Sequence, residues 1–305
     1  MKAIIVGMGV QGVKRKNSLS NKEFIGSVDK FKKSNFYSIQ NVPLNIYDTV
    51  FVCVPDNEKE KIIEYSLKNK KNVLVEKPFI TNKQNDLIEL QRLAKKNNLT
   101  LYTAYNHRFE PNILKLKKLI DKKLLGKIYS CKIFYGNGTS KLVKKSKWRD
   151  KGLGVVTDLG SHLIDLCIFW FGKDLKKVNI LDLNKFENKS PDQAIISCEI
   201  NNIKIILEMS LCMWKNTFSC DVIGSRGSAH LDSLCKWSRN EFIYRKRKIP
   251  AGKPIESKIF FERKDPTWGR ELNFFKKSIS KKKNLNFERD LIINREFLKF
   301  KILWK

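Results

Sequence analysis

Several things are scarce in this sequence, and each scarcity excludes a class of protein. There is no C-x-x-C spacing: the seven cysteines (Cys53, Cys131, Cys167, Cys198, Cys212, Cys220, Cys235) are scattered, odd in number and mostly set in apolar runs. Neither a disulfide framework nor a zinc site is expected, and the pattern points to buried thiols in a reducing compartment. No apolar run approaches the ~20 residues of a membrane span. The most apolar stretch, Leu159 to Phe171, is broken by His162 and Asp165. The apolar run at Met1 to Val6 ends in Gly7 and Gly9 rather than at a small-residue cleavage site, so no signal peptide is expected. Internal repeats and low-complexity linkers are missing too. Acid is scarce relative to base: 31 Asp and Glu face 61 Lys and Arg, a formal charge of +30.

That charge alone would admit nucleic acid, an anionic membrane surface or an anionic substrate as partner. The excess is mostly lysine spread along the whole chain, however, and no basic stretch is interleaved with aromatics. Runs such as Arg245 to Lys248 read as solvated faces. We therefore expect neither a dedicated nucleic-acid partner nor a membrane partner, but a field that draws phosphorylated ligands toward a cleft. What is present describes a folded, soluble chain: 305 residues, 42% hydrophobic and 11% aromatic. That length suits two domains sharing a cleft.

The first half alternates short apolar strands with helices. Strands are expected near Lys2 to Val6, Glu23 to Asp29, Thr49 to Pro55, Asn72 to Lys77 and Leu99 to Tyr105. Helices are expected from Val10, from a cap at Asn57, and from a cap at Thr81 or Asn82. This rhythm predicts a doubly wound parallel α/β sheet over 1–124. Beyond Gly126 strands dominate, with an Asn201-Asn202 hairpin turn, a helix over Val156 to Phe171 and another from Trp268. Residues 125–305 are thus expected to form an α+β domain on a large, mostly antiparallel open sheet.

Three clusters carry chemistry. Gly7-Met8-Gly9-Val10-Gln11-Gly12 is a G-x-G-x-x-G turn between a strand and a helix, and Asp29 ends the next strand about 20 residues on. The glycines permit a tight turn, approach to a pyrophosphate and close helix packing. Asp29 would bind the adenosine ribose, which favours NAD over NADP, although Lys30 beside it weakens that preference. The bland alternative is a glycine turn without a dinucleotide. Glu76-Lys77-Pro78 sits at a strand end on the edge where such sheets bind ligands. A lysine there can polarise a substrate oxygen, or it can be a surface lysine before a turn. Asp158, His162 and Asp165 fall at i, i+4 and i+7, one face of a helix. A carboxylate-oriented imidazole suits a general base, and a capping or packing pair is the alternative.

Taken with the segments VCVPD, YNHRFEP (Tyr105 to Pro111), WRDKGLGVVTDLGSHLID (Trp148 to Asp165) and DPTWGREL (Asp265 to Leu272), these clusters resemble the Gfo/Idh/MocA oxidoreductases over nearly the whole chain. The resemblance implies an N-terminal Rossmann domain and a C-terminal domain whose open sheet serves self-association, as dimer or tetramer. It implies NAD held by Gly7, Gly9, Val10, Gln11, Gly12, Asp29, Pro55, Glu76 and Lys77, and no metal. Lys77, Asp158 and His162 would be the catalytic set. Asn106, Arg108, Trp148, Arg149 and Asp158 would line the substrate side, or brace a domain junction. The function implied is cytoplasmic: hydride transfer between nicotinamide and a carbinol carbon of a sugar, nucleotide-sugar or cyclitol, in surface-polysaccharide or nucleotide-sugar metabolism. A non-catalytic dinucleotide-binding sensor on the same scaffold is the rival. Two departures stand out: Leu153 interrupts the glycines before Asp158, and the chain closes on a basic stretch, Asn294 to Lys305.

Overall fold

The computed structural model describes residues 1–303 apart from 147, 238, 263 and 283–286. Two compact units emerge, one of residues 1–106 with 268–298, the other of residues 107–267 with the last residues of the chain. The first unit is thus discontinuous, with boundaries unlike the single division at 124/125 drawn from the sequence.

In the first unit, β1 (Ala3–Val6), β2 (Phe24–Val28), β3 (Thr49–Val52), β4 (Asn72–Glu76) and β5 (Leu101–Ala104) form one parallel sheet in the order β2-β1-β3-β4-β5. Every residue of β1, β3 and β5 is buried, as expected of strands covered on both faces. Ile4, Val6, Val50, Val52, Val73 and Val75 point to one side, where α2 (Asp56–Lys68) and α3 (Gln84–Lys96) cover them with Ile63, Leu67, Leu87 and Leu90. Ala3, Ile5, Phe51, Leu74 and Tyr102 point to the other. There Leu272 and Phe275 of α7 (Thr267–Ser280) close the core, Phe275 edge-on to Phe51 and stacked on Tyr102. A side chain as fully buried as Phe275 contributes ~1.5–3 kcal/mol. Helix α1 (Val10–Ser18) follows β1 directly.

Two helix starts differ from the sequence expectation. Pro55 holds the cap position of α2 and Asn57 lies inside its first turn. Helix α3 begins at Gln84 after Lys83, because the Thr81 amide donates to Asn294 Oδ1 and its hydroxyl to the Lys83 carbonyl. Asn294 belongs to α8 (Phe287–Leu303), a helix the sequence reading missed in that basic stretch, whose last two residues lie outside the described ones.

The second unit is built on eight strands in the order β13-β12-β11-β10-β6-β9-β8-β7, antiparallel except for the β6–β9 pair. They are β6 (Ile128–Gly136), β7 (Leu175–Asn184), β8 (Gln193–Ile200), β9 (Ile203–Ser210), β10 (Thr217–Gly224), β11 (Gly227–Asp232), β12 (Asn240–Lys246) and β13 (Ile255–Phe261). Burial alternates along β8 and β10, so one face is core and the other is not. Asn201 and Asn202 both take positive φ, as a two-residue hairpin turn demands. The core face carries α4 (Pro111–Asp121) and α6 (Ser161–Phe171); a short helix, α5 (Ser140–Lys144), follows β6. Trp170 of α6 donates from its indole to the Ile113 carbonyl of α4. Among the described residues no helix is long and apolar enough to cross a membrane.

Candidate active site

The first unit presents a cradle at the C-terminal edge of its parallel sheet, where Gly7, Pro55 and Lys77 follow the ends of β1, β3 and β4. Gly7 has φ +93°, and a Cβ there would stand 2.6 Å from the Cys53 carbonyl oxygen. A Cβ on Gly12 would lie 1.9 Å from the Gly7 carbonyl oxygen, so only glycine lets α1 press against the turn. At Gly9 the opposite holds: nothing stands within 4 Å of an added Cβ. Helix α1 starts there with no side-chain cap, and Val10 and Gln11 are exposed. Asp29 closes the cradle. Its Oδ2 accepts the Met8 amide at 2.7 Å, and its Oδ1 accepts the Phe31 and Lys32 amides at 2.8 and 2.9 Å. Burial alone would raise its pKa; the three amides and Lys32 reverse that and hold it below its ordinary value. Open space above a glycine, uncapped amides and a fixed carboxylate fit the pyrophosphate and ribose of a dinucleotide.

Lys77 lies in a segment held from both sides. The buried Lys59 ammonium of α2 donates to the Glu76 and Pro78 carbonyls, both at 2.6 Å, and to Asp56 Oδ1 at 2.7 Å. The Lys77–Pro78 bond is cis. Glu76 turns its carboxylate inward, where Oε1 accepts Arg15 Nε at 2.6 Å. Arg15, almost fully buried on α1, also forms an ion pair with Glu271 Oε2 at 2.8 Å and lies over the Trp268 ring. Burial alone would lower the Arg15 pKa, but Glu76 and Glu271 outweigh it and hold the guanidinium above its ordinary value. Burial lifts Glu271, against the pull of Arg15. No motif contains Lys59 or Arg15; the one signal was a charged residue at a helix position facing the sheet.

The second unit places the other motif. The helix expected from Val156 begins instead as a π-helical turn, Val156–Gly160, before α6 takes over. Gly160 lets that turn sit on β9, since a Cβ there would come within 3.0 Å of Met209 Sδ. The wider turn alters the helical face read from an ideal α-helix. Asp165 is buried and bound by Arg108, Nε to Oδ1 and Oδ2 at 3.1 and 2.8 Å. Asp158 remains partly exposed, its Oδ2 at 2.8 Å from Arg149 Nη2. Next to Arg149, Asp150 ties the segment to Ser190, its carboxylate accepting the Ser190 amide and hydroxyl at 2.8 and 2.9 Å. Trp148 is mostly exposed. Leu153 is buried between Gly152 and Gly154, both at positive φ, so the interruption of the glycines serves the core.

His162 is itself buried, and residues given no role from the sequence surround it. The His107 ring stacks on it, centroids 4.0 Å apart and planes 17° apart. Tyr135 of β6 is tilted against both imidazoles, and Trp237 packs on Tyr135. Lys236 Nζ stands 3.1 Å from His107 Nε2 and 3.3 Å from Tyr135 Oη. Burial, and behind it the Asp158 charge, push the Tyr135 phenol above its ordinary pKa. Asn106 lies in the first unit, in the 3-10 turn after β5. Among the described residues no group of three or more His, Cys, Asp or Glu could hold a metal ion.

Residues 4–105 match the model of an oxidoreductase family with an NAD-binding Rossmann fold, and residues 113–230 match that of the GFO/IDH/MocA C-terminal domain. The chain belongs to the Gfo/Idh/MocA family. An uncharacterized oxidoreductase of Schizosaccharomyces pombe is 36% identical over 128 residues, 41% of this chain and 34% of that protein. Glucose-6-phosphate 3-dehydrogenase of Bacillus subtilis is 26% identical over 172 residues, 55% of this chain and 47% of that protein. The chain therefore spans between a third and half the length of these two curated relatives. The fold is shared with UDP-N-acetylglucosamine 3-dehydrogenase of Acidithiobacillus ferrooxidans, at TM-score 0.80 and 16% identity, covering 99% of this chain and 97% of that one.

Proposed function

We propose that this chain is an NAD-dependent dehydrogenase or reductase acting on a carbinol carbon of a sugar, nucleotide-sugar or cyclitol. The observation that carries the reading is the cradle of the NAD-binding unit, with Lys77 held at its rim by Lys59 through the carbonyls on either side. Bound NAD supplies the hydride acceptor or donor; the proton and the oxygen are the work of this chain. Lys77 donates to the reacting oxygen and stabilises the charge that develops there. In oxidation His162 accepts the hydroxyl proton, and in reduction it returns it. Asp158 binds a substrate hydroxyl or orients His162, and its ion pair with Arg149 restrains it. Arg149 and the exposed Trp148 lie on the substrate side. Arg108 is committed to Asp165 and acts as a brace for α6.

Asp29 favours NAD, because a 2′-phosphate would meet a carboxylate held in its charged form. The substrate class draws support from the sugar-phosphate dehydrogenase among the relatives. Seven free cysteines fit a cytoplasmic, reducing location, and the uncovered face of the eight-stranded sheet fits self-association as dimer or tetramer.

The test is NADH formation from NAD with a panel of sugar phosphates, UDP-sugars, free sugars and inositols, with NADH binding followed separately by fluorescence. Lys77→Ala and His162→Ala are expected to bind NADH normally and to lose turnover by about 100-fold or more. Full activity in both variants would refute the assigned roles. NADH binding without turnover on any substrate would favour a sensor.

A further inference from the structure

Lys236 belongs to no motif and stands outside the family's matched segments, yet the fold takes trouble to place it. It sits in the turn between β11 and β12. That turn is anchored on buried Glu110: Oε1 accepts the Cys235 amide at 3.0 Å and Asn240 Nδ2 at 2.6 Å, while the Cys235 thiol reaches Oε2. Glu110 directly follows the 3-10 turn that carries His107. One carboxylate thus ties the segment bearing Lys236 to the segment bearing His107. Trp237, under the ammonium with its ring centroid at 4.6 Å, completes the support.

An ammonium has only donors. Its 3.1 Å approach to His107 Nε2 requires a lone pair on that nitrogen, so the ring proton belongs on Nδ1. The same ammonium disfavours a second proton on His107. The ring so held lies 4.0 Å from His162, where two imidazolium charges would repel. Tyr135 of β6 packs its phenol against both rings and feels the charge of Asp158 in the π-helical turn, which is paired with Arg149 of the segment before it.

We propose that Lys236 is a positioning residue that locks His107 as the neutral Nδ1–H tautomer, so that His162 is the one imidazole of the stacked pair that takes up the proton. The step it serves, and only that part, rests on the reading of His162 as the proton-transfer group. No bond is made or broken at Lys236 or His107.

The test uses the full chain labelled with ¹⁵N-histidine. With three histidines in all, His230→Gln and His107→Phe variants assign the spectrum. His107 is expected to show a protonated Nδ1 and a bare Nε2 through neutral pH. Lys236→Met removes that preference and Lys236→Arg keeps it. In turnover, Lys236→Met lowers kcat roughly tenfold, about the rate equivalent of one supporting hydrogen bond. It also moves the acid limb of kcat/KM for oxidation to higher pH, because the pair then holds a proton more readily. Lys236→Arg restores both, and in a His107→Phe background the limb moves less. A wild-type His107 protonated on Nε2, or a spectrum unchanged by Lys236→Met, would overturn the lock. An equal limb shift with and without His107 would overturn the route through it. The expected tautomer in a chain inactive on every substrate would instead uphold the lock and refute the proton-transfer role of His162.

Discussion

At the scale of single residues, Gly9 and Gly12 separate binding from folding. Both belong to one glycine turn, but a methyl group on Gly9 enters open space and one on Gly12 meets backbone. Gly9→Ala is expected to leave the melting temperature within a degree or two and to weaken NADH binding on the order of tenfold, ~1.4 kcal/mol. Gly12→Ala is expected to destabilise the fold by about 1–3 kcal/mol, as overpacking does. Thermal unfolding and fluorescence titration of the two variants check this; equal binding losses at equal stability would contradict it. The turn was legible because glycine spacing is a local signal. Lys59 was not, being one of 61 basic residues, and its place in line with Ile63 and Leu67 on α2 does not by itself show that its ammonium enters the fold. His107 was quoted within a motif, but its stacking on His162 needs a contact across 55 positions that no spacing rule supplies.

At the scale of elements, the long-range contact that matters most joins α1, β4 and α7 through Arg15, Glu76 and Glu271. It orients the helix that opens the cradle against the strand that Lys77 follows. Arg15→Met leaves two buried carboxyls without their cation and is expected to cost about 3–5 kcal/mol. Arg15→Met with Glu271→Gln should lose less than Arg15→Met alone, since the second change removes one of the stranded charges. Urea unfolding of the variants, with both single substitutions, checks the coupling. Most strands and the helices α1, α2, α3, α6 and α7 were legible from apolar periodicity, whereas α4 (Pro111–Asp121) was not expected. Helix α8 was not, because its buried Phe297 and Phe300 are interspersed with basic residues and Asn294 is spent on bonds to Thr81 and Gln84. The π-helical turn was not either, as Val156 to Gly160 carry an ordinary helical pattern and the packing of Gly160 on Met209 sets the local pitch.

At the scale of the whole molecule, the charge of +30 is a field rather than a recognition motif. Anionic substrates and the dinucleotide are expected to arrive faster at low ionic strength. With a phosphorylated sugar, kcat/KM should fall several-fold between 20 and 300 mM salt, roughly the range over which the Debye length shrinks below 10 Å. With an uncharged sugar it should stay nearly flat. Stopped-flow or initial-rate measurements across salt, on one substrate of each kind, check the difference.

The discontinuity of the first unit also sets a timetable. Its five strands are complete in the nascent chain by residue 106, but Phe51 and Tyr102 lack the cover of Leu272 and Phe275 until those residues have been made. At ~5–20 residues per second, translation needs about 10–30 s to span that interval. For that long a growing polypeptide carries a half-covered sheet out of the ribosome. The dinucleotide-binding half, begun ahead of the second unit, is therefore completed only after the whole of it has been synthesised.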